Sequence, residues 1–90
     1  METDAKLAAK VLSATRSAWK HPERISALLT AGEREVAVVF ALCDAMDAGL
    51  FVPPTLVDSA LDRWPVYFGS GLAGELRSHY HQPVRELISA

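Results

Sequence analysis

His79 and His81 are the first side chains in this sequence whose types suggest metal binding, because imidazole is a common zinc ligand. Helical residues two positions apart point in directions about 160° apart, so the two rings cannot share an ion if the segment is helical. In an extended segment they would share a face, but the remaining histidine, His21, lies far away in the sequence. We therefore expect no metal site.

Three other arrangements could carry catalytic chemistry. Cys43, the single cysteine, lies in an apolar run that favours an inert, buried thiol over a nucleophile. Asp58 and Asp62, four residues apart, could form an acid/base or cation-binding pair, but the surrounding helix face is polar and predicts no pocket. Gly69 and Gly71 follow no convincing strand and precede no Lys-Ser/Thr signature of a phosphate-binding loop. We expect the chain to be no enzyme and to need no cofactor.

The composition predicts a single globular domain over residues 1–90. Half of the residues are hydrophobic and 22% are charged, a balance that favours a folded chain over a disordered one. The first ten residues contain acids and no apolar signal-peptide core, and no apolar run approaches the roughly 20 residues that span a bilayer. With one cysteine, the fold depends on no internal disulfide. We expect a cytoplasmic protein that does not enter a membrane.

The spacing of apolar residues predicts an all-α fold, a compact bundle of about six short-to-medium helices. We expect Thr3, Thr30 and Thr55 to cap three of them. Thr30 and Glu33 have the spacing of a capping box, so the central, hydrophobic helix is expected to span residues 31–48, with Gly49 as its left-handed terminator. The other helices are expected after Thr3, after Pro22, over residues 55–64, from Ser70 and from Pro83.

The apolar segment Leu50–Val52 lies between Gly49 and two prolines, where a polar loop would be usual. Because Leu50 can fold back on the preceding helix, we expect this segment to form a buried strap. A second short apolar segment, Val66–Phe68, follows Pro65. The alternative is that the two segments pair as a minimal two-stranded ribbon.

Phe40 is the residue that suggests a binding site. On the central helix it shares a ridge with Glu33, Asp44 and Asp47, and these acids would be buried without partners if Phe40 were in a dry core. An apolar anchor surrounded by charge is a common arrangement in protein–protein interfaces. We therefore predict a partner-binding surface made of Phe40, Asp44, Asp47 and Glu33. The competing expectation is that the last helix or the Leu50–Val52 segment covers Phe40 internally.

The string LTAGEREV, residues 29–36, resembles the opening of the helix-turn-helix in LuxR-type response regulators. The resemblance implies a DNA-binding regulator, and it covers eight residues. In that family a short scaffold helix, a turn and a polar, basic recognition helix follow, whereas here VAVVFALCDAM and two prolines follow, and the next helix exposes Asp58 and Asp62. The chain also has no asparagine and one glutamine, so the usual readers of adenine are nearly absent. The basic residues that would contact phosphates are Lys6, Lys10, Arg16, Lys20 and Arg24.

Two functions follow from these observations. The first is a small regulatory or adaptor protein that acts by protein–protein interaction, with another protein or with a second copy of itself in a homodimer. The alternative is a DNA-binding transcriptional regulator with a helix-turn-helix variant. The formal net charge of −2 makes nucleic acid the less favoured partner.

Overall fold

The computed structural model describes residues 2–81, which form five α-helices and one short 3-10 helix and contain no strand. The predicted all-α bundle is confirmed. The count is five α-helices rather than six, and the helix expected from Pro83 lies outside the described residues. None of the helices within residues 2–81 has the length and hydropathy needed to cross a membrane. The helices are α1 (Asp4–Thr15), α2 (Pro22–Thr30), α3 (Arg34–Ala48), α4 (Pro54–Arg63) and α5 (Pro65–His81), with the 3-10 helix at Arg16–Ala18.

One of the three predicted threonine caps is confirmed. Thr3 precedes α1, and its hydroxyl oxygen accepts a hydrogen bond from the backbone N–H of Lys6 at 3.2 Å. The prediction for Thr55 is wrong, because α4 begins one residue earlier, at Pro54, and Pro53 is its N-cap. Proline fits the first turn of a helix because the N–H that it lacks would have no intrahelical partner there.

The predicted cap at Thr30 is also wrong, since Thr30 is the last residue of α2. Gly32 has φ of 83°, and the N–H of Glu33 donates to the carbonyl of Leu28 at 2.8 Å. This six-residue closure around a left-handed glycine ends a helix and does not begin one. The central helix therefore starts at Arg34 rather than at residue 31.

The end of α3 was predicted correctly. Gly49 has φ of 70°, and the N–H of Leu50 donates to the carbonyl of Ala45 at 3.0 Å. Val52 is fully buried, but Phe51 is 72% exposed, so the expectation of a buried strap is wrong for Phe51. Neighbouring residues of an extended segment point to opposite sides, which turns Phe51 outward when Val52 is inward.

The alternative ribbon is wrong, because Val66–Phe68 belongs to the first turn of α5. Gly69, with φ of 74° and ψ of 160°, interrupts this helix, and regular helix follows. The predicted start at Ser70 corresponds to the part of α5 after the kink.

The core surrounds α3, which packs against α1, α2 and α5. Ala37 and Ala41 of α3 are fully buried, whereas Cys43, whose thiol was expected to be buried, is partly exposed. The alanines lie under Ile25 of α2 in a small second cluster, where small side chains allow α2 to approach closely. The larger cluster includes Leu7, Val11, Val38, Leu42, Val52, Val57, Leu61, Trp64, Phe68, Leu76 and Tyr80.

Candidate interaction surface

The outer face of α3 carries a regular stripe of side chains. Glu33, Val36, Phe40, Cys43 and Asp47 are spaced by three and four residues, so they follow one side of the helix. The opposite side of α3 is buried in the core. We call these five residues the α3 outer stripe.

Phe40 is the exposed centre of this stripe. Phe40 is 41% exposed, although the opposite side of α3 is buried in the core. Val36 and Cys43, one turn to either side, are partly buried and apolar. The predicted position of Phe40 at the surface thus agrees with its exposure. Of the two covers considered as the alternative, the last helix lies outside the described residues, and in the Leu50–Val52 segment Phe51 is itself 72% exposed.

Asp47, at the C-terminal end of the stripe, and the neighbouring Asp44 contact the connection between α1 and α2. Asp44 accepts a hydrogen bond from the backbone N–H of Lys20 at 3.1 Å, and Asp47 forms an ion pair with the Lys20 ammonium at 2.8 Å. The hydrogen bond and charge of Asp47 raise the pKa of Lys20. Both side chains of the ion pair are about half exposed, at 53% and 54%, so the pair is open to solvent and to competing cations.

Glu33 lies at the other end of the stripe and is exposed. It is the N-cap residue of α3, but its side chain makes no capping hydrogen bond. The predicted set of Phe40, Asp44, Asp47 and Glu33 is therefore arranged as an aromatic centre between acids, two of which also bind Lys20.

Cys43 lies between Phe40 and Asp47 on the stripe. Burial raises the pKa of its thiol, and the charges of Asp47, Asp44 and Glu75 raise it further. Glu75 belongs to α5, so a fourth acid contributes negative potential beside the stripe. Glu75 is distant from the stripe along the chain, so no local pattern in the sequence points to it, and the packing of α3 against α5 brings it near.

A shallow depression lies beside the stripe, between α3 and α5. Met46 contributes the apolar part of its lining, and Gly74, Glu75, Ser78 and His79 contribute the α5 side. Glu75, whose charge acts on the Cys43 thiol, is part of this lining.

The two histidines considered for metal binding have separate contacts. The ring of His79 packs edge-on against Tyr80 with centroids 4.7 Å apart, while Nε2 of His81 lies 3.1 Å from a carboxylate oxygen of Asp58. No group of three or more potential metal ligands forms within the part of the chain that the structure describes.

The two aspartates of α4 are joined to α5 by an arginine. Arg77 donates to Asp62 at 2.8 Å and to Asp58 at 3.4 Å. These carboxylates thus take part in an exposed ion-pair network that connects two helices.

The basic residues considered for phosphate contacts are exposed, but some are already paired. Lys10 forms an ion pair with Glu2, and Lys20 binds Asp47. The guanidinium of Arg16 lies over the ring of Trp19, 5.9 Å from its centroid. The residues that resemble a helix-turn-helix opening form the end of α2, the glycine turn and the start of α3.

A scan against protein-family models, a search of curated proteins and a search of solved structures each found no match for this chain. The function must therefore be argued from its own residues.

Proposed function

We propose that this chain is a small regulatory or adaptor protein that binds another protein through the α3 outer stripe. The observation that carries the proposal is the 41% exposure of Phe40 in the middle of a helix whose other side forms the core. Exposed aromatic residues are enriched in protein interfaces, because their burial on binding supplies much of the affinity.

The position of Phe40 favours binding in a second way. Val38, Leu42 and Ala45 are fully buried and fix the orientation of α3, so its outer side is held rigidly before any partner arrives. A preorganised surface loses less conformational entropy on binding than a flexible one. The nearby acids Asp44 and Asp47 would orient a partner more than they would strengthen its binding.

A binding role fits the polar side chains better than a catalytic one. Cys43, Asp58 and His79 lie in separate environments, and a reaction would need a nucleophile, a base and an orienting group within contact of one another. The proposal includes a cytoplasmic location, which fits a chain with a single cysteine and therefore no internal disulfide.

Binding of DNA has weaker support. Lys10 and Lys20 already pair with acids, and Asp58 and Asp62 would repel phosphate on the helix that follows α3. A titration with duplex DNA at low salt checks this alternative, and salt-sensitive binding there would favour it.

The proposal is tested by comparing Phe40→Ser with Phe51→Ser. Both remove an exposed phenyl ring, but Phe51 lies in the segment between α3 and α4 and outside the stripe. We expect proteins captured from host lysate by the unchanged chain and by Phe51→Ser to be lost with Phe40→Ser. We expect both variants to melt within about 5 °C of the unchanged chain, because neither ring is a core side chain.

Two results would contradict the proposal. One is a fall of the melting temperature by well over about 10 °C for Phe40→Ser, which would identify Phe40 as a core residue. The other is the same set of captured proteins for both variants. Sedimentation of the unchanged chain tests the homodimer form of the proposal.

A further inference from the structure

The α3 outer stripe has the spacing of a helix-binding surface. Val36, Phe40 and Cys43 form an apolar centre, and Glu33 and Asp47 lie at its two ends. The stripe is about 21 Å long, since each helical residue rises about 1.5 Å. Apolar residues spaced alternately by three and four positions are the pattern with which one helix packs along another.

The charges around the apolar centre are mostly negative. Glu33 and Asp47 lie at the ends of the stripe, Asp44 lies beside Asp47, and the charge of Glu75 acts on Cys43. Among residues 2–81, the Lys20 ammonium pairs with Asp47 and neutralises one of these acids. The surface that a partner meets is therefore apolar in the middle and acidic at its borders.

Resting on the proposed function, we propose that the α3 outer stripe binds an amphipathic helix of another protein, with apolar residues at its centre and lysine or arginine at its flanks. Apolar side chains of that helix would pack on Phe40 and Val36, and its cations would face Glu33 and Asp47. A helix laid along an apolar surface is a recurrent mode of protein recognition. Complementary flanking charges select the partner and its register.

A second copy of this chain fits the surface less well. Antiparallel pairing of two α3 helices about Phe40 would place Glu33 opposite Asp47 of the other copy, and parallel pairing would place like acids together. The exposed basic side of α1 has Lys6 and Lys10 but only small neighbours such as Ala9 between them, so it offers no large apolar side chain to cover Phe40. A helix of a different protein that carries both basic and large apolar residues can pair with the acids and cover Phe40.

The experiment is a selection from a display library of helical peptides with a randomised apolar centre and randomised flanks. The library is selected on the unchanged full-length chain and depleted on the Phe40→Ser variant, so that the enriched peptides depend on Phe40. We expect these peptides to carry Lys or Arg at the flanks and apolar residues three and four positions apart. We expect Phe51→Ser to bind them with unchanged affinity.

Charge changes then test the role of the acids. We expect Glu33→Lys to weaken the enriched peptides by about three- to tenfold, and an increase from about 20 to 300 mM salt to weaken them by a similar factor, because exposed charge pairs are screened. Circular dichroism of each variant verifies that α3 is intact.

The outcomes separate the inference from the function on which it rests. Phe40-dependent peptides with neutral or acidic flanks would overturn the inference and leave the binding role of the stripe in place. Dimerisation of the unchanged chain that is lost in Phe40→Ser would also overturn it, because the occupant would then be a second copy. A selection that yields no Phe40-dependent peptide would overturn both.

Discussion

The indole Nε1–H of Trp19 donates a hydrogen bond to the hydroxyl oxygen of Thr15 at 3.0 Å, and this hydroxyl donates to the carbonyl of Val11 at 2.8 Å. Thr15 is fully buried at the last turn of α1, and Trp19 packs against the cluster around Ile25. The chain of two hydrogen bonds therefore joins the end of α1 to the small core beneath α2. Without the Thr15 hydroxyl, the partly buried indole N–H of Trp19 would have no acceptor.

Thr15→Val should destabilise the protein by about 1–2 kcal/mol, because valine keeps the shape but leaves the Trp19 N–H without its acceptor. Urea unfolding followed by circular dichroism measures the change in the free energy of unfolding. In the Trp19→Phe background the same substitution should cost clearly less, since the orphaned donor is absent. Equal costs in both backgrounds would show that the hydrogen bond does not contribute.

Gly49→Ala should destabilise the protein by about 1 kcal/mol, because φ of 70° is unfavourable for a residue with a Cβ. No atom lies within 4 Å of the added Cβ, so the cost is one of backbone conformation. Gly71→Ala is the matched control. It also has open space around the new Cβ, but it lies in α5 without a positive φ, and it should stabilise the protein by about 0.5–1 kcal/mol. A similar effect of both substitutions in thermal unfolding would contradict the assigned turn.

Trp64→Ala should destabilise the protein by about 3–5 kcal/mol, because the side chain is 5% exposed and its truncation leaves a cavity. Asp62→Ala should cost about 0.5 kcal/mol or less, since this side chain is 74% exposed and its ion pair with Arg77 is open to solvent. Chemical denaturation of both variants gives the comparison, and equal costs would mean that the buried face of α4 is wrongly assigned.

The same tryptophan allows a finer test. Nε1 of Trp64 is buried and has no hydrogen-bond partner among residues 2–81. Trp64→Phe removes this donor together with part of the ring, so the penalty of burying an unpaired N–H is relieved. We expect Trp64→Phe to cost clearly less than Trp64→Ala in the same denaturation assay, because phenylalanine leaves a smaller cavity and buries no donor, and a cost as large as that of Trp64→Ala would contradict the burial of this side chain.

Stability should fall as the pH rises above 9, partly because of Cys43. Burial, followed by the charges of Asp47 and Asp44, raises the pKa of this thiol above its ordinary value of 9.0. The unfolded thiol then loses its proton at a lower pH than the folded one, so the folded state binds more protons and its relative stability decreases with pH. Cys43→Ala should flatten this decrease between about pH 8.5 and 10, as measured by urea midpoints.

The range of about pH 8.5 to 10 separates the effect of Cys43 from that of two other groups, which also lower the stability as the pH rises but do so at higher pH. The pKa of Tyr80 is raised from 10.0, mainly by burial, and that of Lys20 from 10.5, mainly by its hydrogen bond to Asp47. Alkylation of Cys43 gives an independent measurement when its rate is followed from about pH 7 to 10, because the midpoint of this profile reports the thiol pKa whatever the access of the reagent. The same midpoint in the folded chain and in urea would show that the pKa of the thiol is not shifted.

The helical spacing of apolar residues was sufficient to predict the fold class. Val57 and Leu61, four residues apart, share one face of α4, and both are buried. Local chemistry also predicted the cap at Thr3 and the left-handed end at Gly49. These features depend on neighbouring residues, which is why they can be predicted without tertiary contacts.

The turn at Thr30–Glu33 shows where local chemistry was ambiguous. A threonine followed three residues later by a glutamate can open a helix, but Gly32 in the same string can close one. Packing of Ile25 and Leu28 against Ala37 and Ala41 extends α2 to Thr30 and selects the closing geometry.

By itself, the sequence determined that Phe40 and the acids Glu33, Asp44 and Asp47 share one side of α3, because the helical period fixes which residues lie together. The tertiary structure decided what surrounds that side. Packing of the α1–α2 connection brings Lys20 to Asp44 and Asp47, and packing of α5 brings Glu75 near Cys43. These neighbours lie more than 20 residues away along the chain, so no local pattern specifies them; they follow from how the buried faces of separate helices pack around α3.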